Sequence, residues 1–261
     1  MGTQVSLMMA QSADIDEAAR IAADVLTALD ARFSSYRPDS ELRAFDAGRL
    51  PTPSRDLRHV LAACAWLCQV SDGLFTTAAG TDDRGALDVA GYVKGWAVDR
   101  AADGLEWAGI TDYCLGVGGD WRCRGLHPDG RPWRMAIRDP DVAYQPRAIT
   151  AVGTNAIATS GTYERGQHLI HPQLPDPKVI SNTPHTASFT VVGPRLAWAD
   201  AFATIGFLMG DDGLSWVAQF AGYSAAIIRT DTTMVADADF PLAAGSLAHF
   251  APPSVLAGAL G

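Results

Sequence analysis

The stretch "ALDVAGYVKGWAVDRAADGLEWAG", residues 86–109, decides how this chain is read. It opens as a short apolar, strand-like run and turns at Gly91. Beyond the turn Val98, Ala102 and Leu105 recur on one face of a helix. A carboxylate, Asp88, and an ammonium, Lys94, flank the turn. The start of a helix leaves N–H groups without intrahelical partners and is a natural anion site. The block therefore raises the question of what is held between that acid and that base.

Outward from this block, helices and hairpins interleave. Residues 5–10 read as a strand. Residues 12–33 read as a long helix capped by Ser12, with Ile15, Ala18, Ala22, Val25, Leu26, Leu29 and Phe33 at helical spacing. A turn-rich loop with Pro38 leads to a short helix, and residues 54–70 form another long helix ended by Asp72-Gly73. "YCLGVGGDWRCRG" predicts two strands around a tight Gly118-Gly119 turn. "WRMAIRDP", "RAITAVG", "AIATSG" and residues 186–193 predict further strands. Residues 199–209 and 213–221 read as helices, and "SAAIIRT" with "TMVADADF" as a closing hairpin around Asp231. The tail from Pro252 is rich in Ala and Gly. No regular βαβ rhythm runs through this order, which favours an α+β fold, an antiparallel sheet with packed helices. The expectation is a single domain over 1–261, with any two lobes built from discontinuous segments.

Bulk composition narrows the function. Among 261 residues, 48% are hydrophobic and 19% charged, the balance of a globular chain. A net charge of −9 argues against nucleic acid or an anionic membrane as partner. No apolar run is long enough to span a bilayer. The N-terminus "MGTQVSLMMAQSADIDEAAR" lacks the basic n-region and the long apolar run of a secretion signal, which leads to an expectation of a cytoplasmic protein. The four cysteines, Cys64, Cys68, Cys114 and Cys123, form no C-x-x-C pair and imply no structural disulfide. Cys64 and Cys68, one helical turn apart, read as small buried apolar residues.

Several chemistries are excluded by motif. "GVGGD" is not a G-x-G-x-x-G opening a helix, and no P-loop or G-x-S-x-G elbow is present. Two places remain. In "ADAFATIGFLMG" a carboxylate, Asp200, stands in the first turn of an otherwise apolar helix, with Thr204 four residues on. Asp200 is either a helix cap that complements the dipole or, with Thr204, part of a hard-cation site. In "ATSGTYERGQHLIHP", His168 and His171 are either surface imidazoles or, one of them, a general base.

The blocks "MGTQVSL", "FSSYRPDSELRAF", "SDGLFTTAAG", "LDVAGYVKGWAVDRAA", "LGVGGDWRCRG", "WRMAIRDP", "AIATSGTYERG", "HLIHP" and "ADAFATIGFLMG" together resemble the ApbE-type flavin transferases, in the family's order and to about Gly210. The D-x-x-G-x-x-K-G-x-x-x-D and A-D-A-x-A-T blocks are the specific ones. The resemblance implies an ApbE-like mixed fold. It implies an enzyme that binds FAD with Mg2+, splits the pyrophosphate with release of AMP, and transfers FMN to a Thr or Ser hydroxyl of an acceptor protein. By position, Met1, Tyr36, Leu74, Phe75, Thr76, Asp88, Lys94 and Ile170 would contact the flavin nucleotide. The Gly91 and Ala203 carbonyls, the Asp200 carboxylate and the Thr204 hydroxyl would hold the metal. His168 matches the family's catalytic histidine, the base for the acceptor hydroxyl.

This chain departs from the family pattern at three places. Thr76 stands where Asp is usual, His171 replaces an Asp, and the segment between Tyr163 and His168 is short. Two alternatives therefore stand beside the transferase: an FAD pyrophosphatase giving FMN and AMP, and a flavin-binding protein without catalysis. Many family members are exported lipoproteins; without a signal, the acceptor here would be intracellular.

Overall fold

The computed structural model describes residues 4–9, 15–77, 86–142, 145–161, 185–244 and 246. β1 (Val5–Met9), β2 (Tyr113–Val117), β3 (Asp120–Arg124), β6 (Ala156–Gly161), β7 (Thr186–Gly193), β8 (Ser224–Arg229) and β9 (Met234–Ala236) make one antiparallel sheet. Its order is β1-β2-β3-β6-β7-β8-β9. β4 (Arg134–Arg138) and β5 (Pro146–Ala151), which intervene between β3 and β6, pair with each other in a separate two-stranded sheet. The helices are α1 (Ile15–Phe33), α2 (Glu41–Asp46), α3 (Arg55–Val70), α4 (Ala90–Trp107), α5 (Leu196–Met209) and α6 (Asp212–Val217). The α+β reading holds.

Strand side chains alternate between two cores, as a pleated sheet requires. Leu115, Ala158, Phe189, Val191 and Ile227 face the helices. Cys114, Ile157, Val192 and Ile228 face the other way, onto Trp133, Met135, Ile137 and Ala148 of the small sheet and its flanks. The β2–β3 hairpin turns on Gly118 (φ +61°) and Gly119 (φ +93°), a pair of positive angles that L side chains adopt at a cost. Ser40 and Ser54 cap α2 and α3 by accepting from the Arg43 and Leu57 N–H groups.

Three readings of the sequence change here. Residues 86–89 form no strand of their own; α4 begins at Ala90, so Gly91 lies inside its first turn. α5 begins at Leu196, which places Asp200 in the second turn and removes it from capping. α6 is the short segment Asp212–Val217. The cysteines also differ from expectation. Cys114 and Cys123 are joined by a disulfide across β2 and β3, their Cα atoms 4.2 Å apart. Counting from the hairpin turn, they form a non-hydrogen-bonded pair, the closer of the two antiparallel pairings. Motif spacing alone gave no sign of it, because strand register brings the two together. Cys64 is buried, with its thiol pushed up to about 12 by desolvation, whereas Cys68 is exposed.

α5 is buried nearly all round. Gly206 lets Phe189 of β7 approach, and Phe202 stacks on Phe220 at 4.5 Å. Against α4 the contact is tighter still. A Cβ on Gly95 would lie 2.5 Å from the Leu196 carbonyl oxygen, so only glycine permits this helix pair.

Candidate active site

β3 supplies the floor. Asp120 and Arg122 are two residues apart and point to the helical side, where neighbouring strands present apolar residues. Both are buried. Lys94 of α4 donates to Asp120 and, at 3.1 Å, to Asp200 Oδ1 of α5. The second Asp120 oxygen accepts the Thr159 N–H at 3.0 Å. One turn beyond Asp200, Thr204 Oγ1 lies 3.1 Å from Ser160 Oγ of β6. Four elements thus meet around one ammonium.

Lys94, Asp120 and Asp200 bring two carboxylates and one ammonium together in a buried place. Carboxylate oxygens are the kind of ligand that a hard cation takes. Among the described residues no three His, Cys, Asp or Glu side chains form a metal-holding group. The donors expected from the sequence are one carboxylate, Asp200, with the Thr204 hydroxyl and backbone carbonyls. That composition fits Mg2+, which keeps water and phosphate oxygens among its ligands.

At the turn before α4, Asp88 Oδ1 accepts the Ala90 N–H at 2.9 Å, while Lys94 turns to β3 and α5. The residue before Asp88 is clamped by α2, since Asp46 accepts the Leu87 N–H at 3.3 Å and Arg43 donates to the Leu87 carbonyl at 3.4 Å. Arg43 and Asp46 also line an open cleft of about 350 Å³ with Ser35, Tyr36 and Arg49. Tyr36 is 95% exposed there, an aromatic ring free to stack on a planar ligand. Phe75 is a wall, 5% exposed, its ring 3.1 Å from where a Gly91 Cβ would stand. Leu74 is half-buried and Thr76 exposed beside it. Gly91 is exposed at the start of α4, and Ala203 is buried on α5 between Asp200 and Thr204. Met1, His168 and Ile170, together with His171, lie outside the described residues.

The model of the ApbE family matches residues 1–84 and 78–228. The chain belongs to the ApbE family. A relative named FAD:protein FMN transferase from Vibrio cholerae serotype O1 is 38% identical over 135 residues, 48% of this chain and 39% of its own length. One of the same name from Haemophilus influenzae is 27% identical over 81% of this chain and 78% of its own length. The match to the Vibrio relative thus spans well under half of that protein. The solved structure of the flavin transferase ApbE from Vibrio cholerae superposes with a TM-score of 0.77, at 24% identity, over 92% of this chain and 95% of that one. The ApbE protein from Thermotoga maritima superposes with a TM-score of 0.72, at 20% identity, over 91% and 94%. These likenesses establish the ApbE fold.

Within that fold, three residues of the cluster had no role assigned from the sequence. Asp120 fell in a strand read from the sequence and was given no role there, although it is a buried acid directly after the Gly118-Gly119 turn. Ser160 lies in "ATSGT", outside any G-x-S-x-G elbow, and its link to Thr204 comes from the β6–α5 contact. Asp99, the last acid of the D-x-x-G-x-x-K-G-x-x-x-D block, had no role until the α4–α5 contact was seen.

Proposed function

We propose that this ApbE-family chain is a Mg2+-dependent FAD:protein FMN transferase that moves FMN from FAD to a Thr or Ser hydroxyl of an acceptor protein and releases AMP. The observation that carries the reading is the meeting of Lys94, Asp120, Asp200 and Thr204, from α4, β3 and α5, beside the Asp88 turn. Asp200, Thr204 and the carbonyls of Gly91 and Ala203 would hold the metal. Bound there, Mg2+ supplies neutralisation of the charge that develops on the pyrophosphate. Tyr36, Leu74 and Thr76, with Met1 and Ile170, would border the flavin, and Phe75 would back the turn at Gly91. Lys94 would offer a second positive charge to the pyrophosphate, held in place by Asp120.

In the reaction the acceptor oxygen attacks the FMN-side phosphorus, the P–O bond to the AMP phosphate breaks, and AMP leaves. His168 would take the hydroxyl proton. The activity for which the Vibrio and Haemophilus relatives are named, FAD:protein FMN transfer, supports the reaction class. FAD and an acceptor protein are the partners it requires. Among the described residues no helix is long and apolar enough to cross a membrane, and we place the reaction in the cytoplasm.

The test is incubation with FAD and Mg2+, with and without an acceptor protein, followed by AMP detection. AMP formed only with acceptor supports the transferase. AMP without acceptor means a pyrophosphatase, and no AMP means a flavin binder. His168→Ala should retain FAD binding and lose transfer by about 10²–10⁴, the worth of a positioned base. His171→Ala should do much less; the reverse result moves the base by three residues.

A further inference from the structure

The N-terminus of α5 is capped from outside the helix. Its own N-cap residue, Arg195, makes no side-chain capping bond. Instead Asp99 of α4 accepts the Leu196 N–H on Oδ1 at 3.1 Å and the Ala197 N–H on Oδ2 at 2.9 Å. Asp99 is 2% exposed. Burial pushes its carboxyl above the ordinary value, against the pull of those two N–H groups and of Arg195 and Arg122. Arg122 Nε stands 3.6 Å from Oδ1, and Arg195 Nε 4.0 Å from Oδ2. Arg122 is itself fixed by donating to the Cys123 and Thr154 carbonyls.

Two charge pairs therefore cross from α4 to β3 with opposite polarity, Lys94 to Asp120 and Asp99 to Arg122. The first reaches α5 through the Asp200 side chain, while the second grips the α5 backbone itself. The grip sits where Gly95 brings the helices together, four residues before Asp99 on the same face. The donors assigned to the metal come from both helices: Gly91 on α4, and Asp200, Ala203 and Thr204 on α5. Their separation depends on how far α5 has slid along α4. A bidentate bond from one side chain to two successive N–H groups fixes that slide, because a shift of one residue would leave buried donors unpaired.

We propose that Asp99 is a positioning residue for the metal site, setting the height of α5 against α4 through the Leu196 and Ala197 N–H groups. The inference rests on the metal reading of the preceding subsection. It goes further by giving a role to a residue that touches neither metal nor substrate.

The test uses Mn2+ alone as probe, titrated by its electron-spin resonance signal in the absence of FAD, so that turnover does not enter. Asp99→Asn keeps shape and one acceptor oxygen but faces the second N–H with a donor. Its affinity for Mn2+ should fall by about tenfold or more, the range for outer-shell ligand support. The control is Ile137→Ala, a truncation in the core on the opposite face of the sheet. It should lower the melting temperature while leaving Mn2+ affinity within about twofold, since distant sites act independently. If folded Asp99→Asn binds Mn2+ as tightly as the wild type, Asp99 is a structural cap and the inference fails, with the metal reading intact. If the wild type binds no Mn2+, the metal reading fails and takes this inference with it. Should Asp99→Asn not fold, Asp99→Glu takes its place. It keeps the charge and both oxygens but adds a methylene, and the same weakening is expected; unchanged affinity overturns the proposal.

Discussion

Strand β3 shows the two faces of the molecule side by side. To the helices it presents Asp120 and Arg122; to the small sheet it presents Trp121 and Cys123. The second face is assembled from Trp133, Met135, Ile137, Ala148 and Ile228, apolar side chains that release water on burial. The first buries Asp99, Asp120, Arg122 and Asp200 within an otherwise apolar core. Buried ion pairs are weak contributors to stability and are often matched by apolar residues of equal volume. Among the described residues, their presence on one face and not the other separates what the fold needs from what the site needs.

That separation breaks most visibly at Asp200. Asp200→Ala should lower FMN transfer by about 10²–10³, the scale for losing one preorganised electrostatic group. The melting temperature should stay within about 4 °C of the wild type, a change of less than about 1–2 kcal/mol. Parallel transfer assays and thermal melts decide it. A collapse of the fold with no dependence on divalent metal would make Asp200 a structural residue and erase the contrast.

The opposite face should respond in the opposite sense. Ile137 is 2% exposed, and Ile137→Ala should cost about 2–5 kcal/mol in stability through lost burial and a cavity. Transfer per folded molecule should be unchanged. Denaturant unfolding followed by assay below the transition measures both. A drop in transfer matching the Asp200 variant would mean that the two faces are coupled through the sheet.

The sequence made the two faces unequally legible. Periodicity placed α1 and α3 well, since Ala18, Ala22, Leu26, Leu29 and Phe33 are all buried. Ile15, read as part of the same stripe, is 43% exposed because it starts the helix. The Gly118-Gly119 hairpin was plain from turn chemistry. The start of α5 was misread by three residues because its cap comes from Asp99, 98 positions away from Ala197, and local rules see only local caps. Lys94 and Asp88 were read as flanking one turn; which way each points was not legible, and α4 sends Lys94 inward to β3. The disulfide was invisible for the same reason: register, not motif spacing, makes Cys114 and Cys123 opposite. What packing alone decides, a single sequence leaves open.

That disulfide gives a smaller effect on the apolar face. In the oxidised protein, thiol titration after unfolding without reductant should count two free cysteines, Cys64 and Cys68. Reduction should lower stability by no more than about 2 kcal/mol, because the hairpin already holds the strands together. Transfer should not change. A count of four thiols would show that the pair is a contact between two reduced side chains.

The smallest effect tests whether every polar cluster on the helical side belongs to the site. Glu41 of α2 accepts from the Ser54 N–H at 2.9 Å and from Arg32 at 2.9 and 3.1 Å. Arg32 also donates to Asp56 at 2.8 Å, so the cluster ties α1 to the starts of α2 and α3. Burial pushes the Glu41 carboxyl up, but the Ser54 hydrogen bonds and the Arg32 guanidinium outweigh it and leave the group below its ordinary 4.5. A carboxylate lowered on folding contributes stability that is present above its unfolded value and lost as pH falls through the folded one. Glu41→Gln should therefore cost about 1 kcal/mol at pH 7, a partly exposed pair being modest. The cost should shrink steadily once the pH drops below 4.5, where the wild type loses the same charge. Transfer should be unaffected throughout. Urea titrations of both proteins across that range measure the difference. A penalty that stays constant down to pH 3 would mean that the loss comes from fit or hydrogen bonding that glutamine fails to reproduce, and not from the charge. A loss of transfer at pH 7 would instead bring α2, through Arg43, Asp46 and their hold on Leu87, into the working parts of the site.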